Sequence, residues 1–485
     1  MPTADASLGV DLGTSGCKVA VVGPSGEVLA VASATYAVSS AHPGWAETDP
    51  RHWWQSTRVA VADALRRAGA NIVGMGVAGQ MHGLVLAGPS GEPINNAILW
   101  PDTRASAEVK TFRDLPVEMR DRLANPIVPG MAGPVLLWLA RHEPELVAQA
   151  AWALQPKDWL RAQLTGVIAS EPSDASGTLL YDLVADRWAY EVLEQLGLPR
   201  RLLPPIAESG AQVGALAPAV ADELGLPSGL PVAAGAADTA AAALGAGLLE
   251  PGRVQLTVGT GGQIVAPLLA PTPDPNRATH LYRAAAPGHW YAMAAIQNAG
   301  LAIEWALRTL NADWQETYRS LGTTPPGADG ASFLPYVVGE RWGPQLSAAW
   351  AGLRLHHRRE HLLRALLEGV AYNVRAAAEV LGAAGIEFSN VLLAGGGSTD
   401  PAWRQLLADV LGQPLHVMPT SSASARGAAL LGGVAAGVFA DVEATLAVAP
   451  VPTSTTRPAN PEGYEVAFVR FRKLAQGLAA GPGPE

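Results

Sequence analysis

The stretch that decides the fold is Gly9-Val10-Asp11-Leu12-Gly13-Thr14-Ser15-Gly16-Cys17-Lys18, and a shorter copy of it returns as Leu256-Thr257-Val258-Gly259-Thr260-Gly261-Gly262. Each copy lies between two apolar runs rich in β-branched residues, so each predicts a β-hairpin turn and not a junction between a strand and a helix. Glycine lets the backbone approach a ligand closely, and the Thr and Ser hydroxyls add donors beside exposed amides. The two turns therefore predict a duplicated site for anionic oxygens such as those of a phosphate.

Neither turn matches the two common nucleotide-binding motifs. Neither contains GxxxxGK[ST], and neither shows GxGxxG at the start of a helix. A single Gly-Thr-Ser-Gly turn is ordinary hairpin chemistry. Two copies, one near the start of each half of the chain, favour a different nucleotide-binding fold.

The length and the charge of the chain limit its possible architecture and its possible binding partners. A chain of 485 residues is expected to form about two domains of roughly 250 residues each, and the repeated turn predicts domains at 1–247 and 248–485. The formal net charge is −10 and only 16% of the residues are charged. A basic surface for nucleic acid or for an anionic membrane is therefore not expected.

The single cysteine, Cys17, excludes an internal disulfide and a cysteine-based metal cluster, as expected in a reducing cytoplasm. Its place after the first turn predicts a small core residue and not a reactive thiol. The first residues lack the charged start and the long apolar region of a signal peptide. The alanine-rich stretch 233–249 is interrupted by Asp238 and by glycines, which predicts a core segment and not a membrane span. The expected location is cytoplasmic.

Alternation of strand and helix patterns predicts an α/β fold in both halves. In the first half, strands are predicted at 8–10, 19–22, 28–36, 72–78 and 231–235, and helices at 51–68 and 157–164. In the second half, strands are predicted at 254–258, 264–265, 290–295 and 391–394, and helices at 299–310, 360–381 and 401–411. The first long helix follows Thr48-Asp49-Pro50, an acceptor residue and a proline suited to a helix start.

Three charged residues near the predicted turns are candidates for phosphate chemistry. Asp238 follows an apolar strand and a small-residue turn, and ligands of α/β proteins bind at such strand ends; an aspartate before Thr-Ala-Ala-Ala also fits a helix N-cap. Asp11 lies inside an apolar strand, where an unpaired carboxylate is unfavourable, so a cation or hydrogen-bond donors are expected beside it. Lys18 is placed either to reach a phosphate or to face water.

Polar residues in two loops are candidates for a polyhydroxylated ligand. Gln80 and His82 follow a predicted strand and offer both donors and acceptors, although a buried core pair is the alternative. Trp100 offers an apolar face to the C–H side of a sugar. Asp102 and Arg104 either orient that sugar or form a loop ion pair.

Glycines of the second half are candidates for a nucleotide base. Gly395-Gly396-Gly397 lies between a strand and a helix, where bare backbone lets a flat purine lie close, with Asp400 as a polar neighbour. Gly300 is a further candidate for a nucleotide contact, with helix capping as the alternative.

The chain resembles the FGGY carbohydrate kinases, which belong to the actin/Hsp70/hexokinase superfamily of ATPases. The resemblance covers roughly residues 8–440 and rests on many motifs in family order. These are Asp11-Leu12-Gly13-Thr14-Ser15-Gly16, Gly44-Trp45-Ala46-Glu47, Gly79-Gln80-Met81-His82-Gly83, Trp100-Pro101-Asp102-Thr103-Arg104, Pro156-Lys157-Asp158, Ser173-Asp174-Ala175-Ser176-Gly177-Thr178, Gly235-Ala236-Ala237-Asp238-Thr239, Phe333-Leu334-Pro335-Tyr336, Gly339-Glu340-Arg341 and Gly395-Gly396-Gly397. The resemblance implies an α/β fold with two duplicated actin/Hsp70/hexokinase-like (ribonuclease H-like) domains around a central cleft that holds ATP.

The resemblance also implies roles for individual residues. It makes Asp238 the catalytic base and assigns Asp11 to the complex of Mg²⁺ with the nucleotide. The implied sugar contacts are Gln80, Met81, His82, Trp100, Asp102, Arg104 and Thr239. The implied nucleotide contacts are Gly13, Thr14, Ser15, Lys18, Gly259, Thr260, Gly300, Gly396, Gly397 and Asp400.

Within the family, the loop Gln80-Met81-His82 resembles that of the kinases that act on xylulose. This implies ATP- and Mg²⁺-dependent phosphorylation of D-xylulose at O5, with a homodimer as a candidate assembly. A kinase for another sugar or polyol, such as ribulose, and a nucleotide-dependent sugar sensor without phosphoryl transfer are the alternatives. An intact Asp238 argues against the sensor.

The chain departs from the family pattern at three places. Val135 replaces a usual lysine and is expected to affect packing only. Trp342-Gly343 replaces a familiar Thr-Pro nearer the cleft, and Glu171 is longer than the aspartate often present.

Overall fold

The first half of the chain forms one large sheet flanked by helices. The structure is a computed structural model, and it describes residues 5–340, 346–419 and 422–479. The strands are β1 Asp5–Leu12, β2 Gly16–Val22, β3 Val28–Thr35, β4 Glu47–Thr48, β5 Asn71–Gly79, β6 Val85–Ala87, β7 Ala97–Ile98, β8 Trp152–Leu154, β9 Tyr181–Asp182, β10 Arg187–Trp188, β11 Gln212–Ala215, β12 Pro231–Ala233 and β13 Ala236–Ala237. The helices are α1 Pro50–Ala68, α2 Glu108–Arg113, α3 Val117–Leu123, α4 Ala132–His142, α5 Pro144–Gln149, α6 Pro156–Thr165, α7 Pro172–Ala175, α8 Tyr190–Leu196, α9 Pro218–Leu224 and α10 Asp238–Gly245.

The second half forms a second large sheet, again with helices against it. Its strands are β14 Arg253–Val258, β15 Gly262–Leu268, β16 His280–Arg283, β17 Trp290–Ile296, β18 Ser332–Leu334, β19 Ala349–Ala351, β20 Asn390–Ala394, β21 Leu415–Val417 and β22 Ser454–Thr456. Its helices are α11 Gly300–Leu310, α12 Trp314–Thr323, α13 Arg359–Ala383, α14 Pro401–Leu411, α15 Ala423–Ala435 and α16 Glu462–Ala479.

The two sheets repeat one arrangement of strands. In the first, β1 pairs with β2 in antiparallel fashion and with β5 in parallel fashion, and the strand order is β11-β12-β5-β1-β2-β3 with β13 beside β5. In the second, β14 pairs with β15 in antiparallel fashion and with β20 in parallel fashion, in the order β16-β17-β15-β14-β20-β21-β22. The predicted duplication of an α/β domain is confirmed at the level of sheet topology.

The predicted elements agree with the observed ones to within a few residues. Both glycine turns join antiparallel strands, as predicted. Helix α1 begins after Asp49, whose carboxylate accepts the backbone N–H of Arg51 at 2.9 Å, and Pro50 occupies its first turn. One prediction ran too far: the strand expected at 231–235 ends at Ala233, because Gly235 adopts a φ of 91° and approaches the carbonyl of Val77.

Helix α15 of the second half packs on the first sheet. The helix and the sheet are in close contact at two glycines. A Cβ on Gly9 would stand 1.9 Å from the carbonyl oxygen of Ala425, and a Cβ on Gly76 would stand 2.0 Å from that of Ala428. Small residues thus let this helix lie directly against strands β1 and β5. The chain crosses from the first sheet to the second in the segment that joins α10 to β14. The domain boundary between residues 247 and 248 lies within that segment and remains a prediction.

Buried positions agree with the expected core. Cys17 is 1% exposed, and burial raises the pKa of its thiol to about 12, so the thiol is held protonated. Val135 is buried in helix α4, which fits the expected packing role. In the parts of the chain that the structure describes, every helix is too short or too polar to cross a membrane. Arg341, Trp342 and Gly343 lie outside the described residues.

Candidate active site

Asp11 and Asp238 lie near each other because strand β1, which holds Asp11, and strand β13, which precedes Asp238, both pair with strand β5. Strand β5 pairs with β1 on one side and with β13 on the other, so that Ala78 is aligned both with Asp11 and with Ala236. Asp238 comes two residues after Ala236, directly past the carboxyl end of strand β13. The parallel pairing therefore brings the two carboxylates to the carboxyl end of one sheet, where ligands of α/β folds bind.

Burial raises the pKa values of both carboxyl groups. Burial raises the pKa of Asp11 from 3.8 to about 7, the nearby charge of Asp238 adds to the rise, and Lys18 opposes it. Burial likewise raises the pKa of Asp238 to about 6, against the hydrogen bonds that it accepts from Thr239. Lys18 is aligned with Asp11 in the β1–β2 hairpin, which explains its effect. Two desolvated carboxylates in one place favour a cation or a proton between them.

Asp238 is the first residue of helix α10, and Ala237 is the capping residue. The carboxylate accepts the backbone N–H of Thr239 at 2.6 Å and its hydroxyl at 3.2 Å. The alternative in which Asp238 serves as the N-cap is therefore not what the helix shows. Thr239 holds the carboxylate in place, and its hydroxyl is engaged with Asp238.

A cavity of about 250 Å³ lies beside Asp238 and is lined by both halves of the chain. The second half contributes Gln255, Thr257, Gln263 and Gly395 to its wall. Thr257 occupies in the second turn the place that Asp11 occupies in the first, and its hydroxyl accepts a hydrogen bond from Gln255 at 3.1 Å. The carboxylate that lines this cavity, Asp238, thus comes from the first half, and the second half faces it with neutral polar groups.

The first glycine turn is held from beneath by side chains. The Tyr36 hydroxyl donates to the carbonyl of Gly13 and, at 3.3 Å, to that of Gly16. The Gln80 amide donates to the carbonyl of Gly13 at 3.2 Å. Because the carbonyls are engaged below, the turn presents Thr14 and the exposed Ser15 on its other side. The amide nitrogen of Gln80 is thus already hydrogen-bonded to this turn, and its predicted contact with the sugar stays a prediction.

The second glycine turn is held by the start of helix α11. The N–H of Gly300 donates to the carbonyl of Gly259 at 2.9 Å, and the N–H of Leu301 donates to that of Thr260 at 2.7 Å. A Cβ on Gly300 would stand 2.5 Å from the Gly259 carbonyl oxygen. Close packing against the turn therefore accounts for glycine at position 300, and a nucleotide contact there remains a prediction.

The Gly395-Gly396-Gly397 turn faces strand β14 as well as the cleft. A Cβ on Gly395 would stand 2.5 Å from the carbonyl oxygen of Val258, and one on Gly397 would stand 2.8 Å from the Val258 side chain. Gly396 is exposed, and a Cβ there would meet open space. Of the three glycines, Gly396 is thus the one that packing does not explain.

Asp400 caps helix α14. Its carboxylate accepts the N–H groups of Ala402 at 2.8 Å and of Trp403 at 3.1 Å. This is the ordinary role of an aspartate before a helix that begins with proline. The capping contacts account for Asp400 without a nucleotide, and its predicted nucleotide contact stays a prediction.

The loop after β5 holds His82 in an unusual conformation. His82 has a φ of 72°, in the left-handed region that few residues other than glycine adopt. Its Nδ1 donates to the carbonyl of Gly177 at 2.6 Å, which makes Nε2 an acceptor when the ring is neutral. Met81 is buried, and its sulfur accepts the hydroxyl of Tyr291 at 3.8 Å. The strained backbone is typical of functional sites.

Trp100 borders a second and larger cleft of about 1180 Å³. The indole is 40% exposed, and its Nε1 donates to the Thr14 hydroxyl at 2.8 Å. Gln297 and Glu340 of the second half also line this cleft. Trp100 is therefore placed between the first glycine turn and an open space large enough for a sugar.

Asp102 and Arg104 form a buried ion pair. The guanidinium contacts the Asp102 carboxylate at 2.8 to 2.9 Å through two nitrogens and reaches Glu47 at 2.6 Å. It also lies 3.6 Å from the centre of the Trp45 ring. The second oxygen of Asp102 accepts the N–H of Ala46 at 2.7 Å. These contacts within the protein match the loop ion pair that the sequence left open as an alternative.

Two buried groups near the site had no role assigned from the sequence. Glu340 is 1% exposed and accepts hydrogen bonds from the N–H of Gln297 at 2.9 Å and the amide of Asn373 at 3.0 Å. Lys157 is fully buried and lies 2.6 Å from Asp158 and 3.3 Å from Glu171. Both lie in motifs that the sequence displays, Gly339-Glu340-Arg341 and Pro156-Lys157-Asp158. Their roles depend on distant partners that a linear sequence does not reveal.

Comparisons with known proteins agree with this geometry. The model of the FGGY family of carbohydrate kinases, N-terminal domain, matches residues 6–245, and that of the C-terminal domain matches residues 254–436. A xylulose kinase of Escherichia coli (strain K12) is 36% identical over 88% of this chain and 90% of its own length.

Solved structures share the whole architecture. The crystal structure of a "xyloylose kinase" from Brucella ovis has a TM-score of 0.92 and 34% identity, with 98% of this chain and 99% of that chain covered. A gluconate kinase from Lactobacillus acidophilus has a TM-score of 0.92 at 25% identity and covers 99% of both chains. With its duplicated sheets, its paired glycine turns and both family models matched in order, the chain belongs to the FGGY family of carbohydrate kinases.

Proposed function

We propose that this kinase transfers the γ-phosphoryl group of ATP to O5 of D-xylulose and releases D-xylulose 5-phosphate and ADP. The observation that carries the proposal is the pair of partly buried carboxylates, Asp11 and Asp238, whose pKa values are raised by desolvation at the carboxyl end of the first sheet. The choice of sugar rests on the identity of 36% with a xylulose kinase.

Asp238 is proposed as the general base. The attacking hydroxyl must lose its proton as the new O–P bond forms and the bond to the departing ADP breaks, and a carboxylate beside it accepts that proton. The raised pKa of about 6 suits this task, because the group is ionised at neutral pH and yet is a stronger base than an exposed aspartate. Thr239 fixes the carboxylate for this step.

Asp11 is proposed to hold Mg²⁺ that arrives with the nucleotide. In the part of the chain that the structure describes, Oδ1 of Asp11 is buried without a hydrogen-bond partner, which fits an acceptor facing a hydrated cation. Groups of three or more metal-binding side chains are lacking among the described residues, and Mg²⁺ commonly uses one or two carboxylates together with substrate phosphates. When bound, the ion neutralises charge on the phosphates.

The two turns are proposed to hold the phosphates, with Gly13, Thr14, Ser15 and Lys18 on one side and Gly259 and Thr260 on the other. Backbone amides and hydroxyls in such turns bind anionic oxygens. Gly396 is the proposed neighbour of the purine. His82 and Trp100 are the proposed contacts of the ketose, through Nε2 and through the indole face.

The test is a coupled kinase assay in which ADP production is followed with D-xylulose, D-ribulose, gluconate and glycerol as acceptors. The largest kcat/KM is expected with D-xylulose in the presence of Mg²⁺. A larger value with another acceptor would assign the chain to that substrate, and ATP use that no acceptor stimulates would contradict the kinase proposal.

A further inference from the structure

One short buried segment contacts the loop that carries His82. The segment comprises residues 171–177 and includes helix α7. The carbonyl of Gly177 accepts the hydrogen bond from Nδ1 of His82 at 2.6 Å. A Cβ on Gly177 would stand 3.0 Å from the methyl carbon of Met81 and 3.1 Å from Nδ1 of His82. The proposed sugar-binding loop therefore rests directly on this segment.

The same segment also holds the backbone that leads into Asp238. The N–H of Ala237 donates to the hydroxyl of Ser173 at 2.9 Å. Ala237 is the residue immediately before the proposed base and caps helix α10. Ser173 is fully buried, so this backbone donor depends on the serine for a partner. The segment thus links the proposed sugar contact to the proposed base.

Glu171 fixes the orientation of the Ser173 hydroxyl. Its Oε1 accepts that hydroxyl at 2.8 Å, so the serine accepts from Ala237 while it donates to Glu171. The same carboxylate accepts the backbone N–H groups of Ser173 at 2.7 Å and Asp174 at 2.8 Å. Its Oε2 also accepts the hydroxyl of Ser209 at 2.8 Å. These bonds leave Glu171 and Ser173 few other conformations.

The segment is anchored in a buried ionic cluster. Three carboxylates, those of Asp158, Glu171 and Asp174, surround the cations of Lys157 and Arg161, and all five side chains are inaccessible to solvent. Burial raises the pKa of Asp174 well above its usual value, which brings the cluster toward charge balance. Buried ion pairs are weak evidence for stability, but the hydrogen bonds that the Glu171 carboxylate accepts favour one arrangement of the segment.

We propose that Glu171 and Ser173 are positioning residues that hold Asp238 against the hydroxyl that His82 helps to orient. The inference rests on the proposed function, since it concerns the part of Asp238 in phosphoryl transfer. Neither residue touches the reactants. They act through the backbone of Ala237, and a misplacement of about 1 Å at a reacting centre can lower turnover by about a hundredfold.

The test compares Ser173→Ala with Ser170→Ala. Ser170 is a matched control, because it is buried and its hydroxyl donates to Asp158 of the same cluster at 2.7 Å. For Ser173→Ala we expect kcat with D-xylulose to fall about ten- to a hundredfold while the KM for ATP stays the same. Ser170→Ala is expected to stay within about threefold of the wild type, as for a substitution that spares the reacting groups. Equal kcat values for the two variants would overturn the proposal.

A crystal structure of each variant gives a readout that does not depend on the sugar. The Asp238 carboxylate is expected to be displaced in Ser173→Ala and unmoved in Ser170→Ala, and an unmoved carboxylate in both would overturn the proposal. Wild-type turnover of D-xylulose, measured in parallel, tests the proposed function separately.

Should Ser173→Ala fail to fold, Glu171→Gln serves instead. This variant keeps the shape and leaves two carboxylates for two cations. It replaces one accepting carboxylate oxygen by an NH2 donor that faces a backbone N–H group, so part of the hydrogen bonding of residues 173 and 174 is lost. We expect kcat to fall about fivefold or more. Unchanged kcat in this variant would also overturn the proposal.

Discussion

Replacing Asp238 with asparagine is expected to stabilise the folded protein. Burial raises the pKa of this carboxyl group from 3.8 to about 6, so the folded state favours its neutral form. The loss of folding stability that ionised Asp238 causes is small below about pH 4, grows as the pH rises towards 6 and reaches its full size above about pH 7. A pKa difference of about two corresponds to about 3 kcal/mol. This is an upper bound, because asparagine keeps only part of the hydrogen bonding with Thr239.

Thermal denaturation without nucleotide or metal measures this gain. At pH 8, a stabilisation of up to about 3 kcal/mol raises Tm by up to about 6 °C for a domain of some 250 residues. Near pH 4 the gain falls below about 1 kcal/mol, because wild-type Asp238 is then protonated in the folded state. Asp400→Asn is the matched control, since asparagine caps a helix as well as aspartate does. The reasoning is refuted if Asp238→Asn brings no gain at pH 8, or a gain of the same size at both pH values.

Three further predictions concern the sugar, the cleft and the ion pair. His82→Asn, chosen because asparagine tolerates a positive φ, should raise the ketose KM about three- to tenfold with the KM for ATP unchanged, as for a lost hydrogen bond; unaltered ketose kinetics would remove His82 from the site. Small-angle scattering with sugar and a non-hydrolysable nucleotide should show a smaller radius of gyration than the free protein, because closure excludes water from the reaction; an unchanged radius at saturation would argue against closure. Arg104→Met should destabilise the protein by about 3–5 kcal/mol, because it leaves Asp102 buried without its cation; a wild-type Tm would contradict the structural role.

Local features of the fold could be predicted from the sequence. The β-branched runs around each Gly-Thr turn predicted the two hairpins, and Asp49 with Pro50 predicted the start of α1, because strand alternation and helix capping are written in neighbouring residues. The end of β12 was missed because Gly235 turns away to approach Val77, a partner far off in the chain.

Partners distant in the chain explain what the sequence left open in the site. Nothing near Asp11 indicates that β5 aligns it with β13 and hence with Asp238, since the alignment depends on two successive long-range pairings, Asp11 with Ala78 and Ala78 with Ala236. The triple glycine at 395–397 suggested a ligand, but two of these glycines are required by Val258. Asp102 and Arg104 likewise suit either a sugar or each other until Trp45 and Glu47 are seen beside them.

The most direct test of the central claim is kcat of Asp238→Asn with D-xylulose, with ketose binding measured by calorimetry on the same protein. Asparagine keeps the shape and loses the proton acceptor, so kcat should fall by about 10²–10⁴-fold while ketose affinity is retained. We expect a fall in kcat near the lower end of this range, because the transition state is largely dissociative and the hydroxyl proton is transferred late. Near wild-type kcat in a folded variant would contradict the account and leave Asp238 with only its role at the start of helix α10.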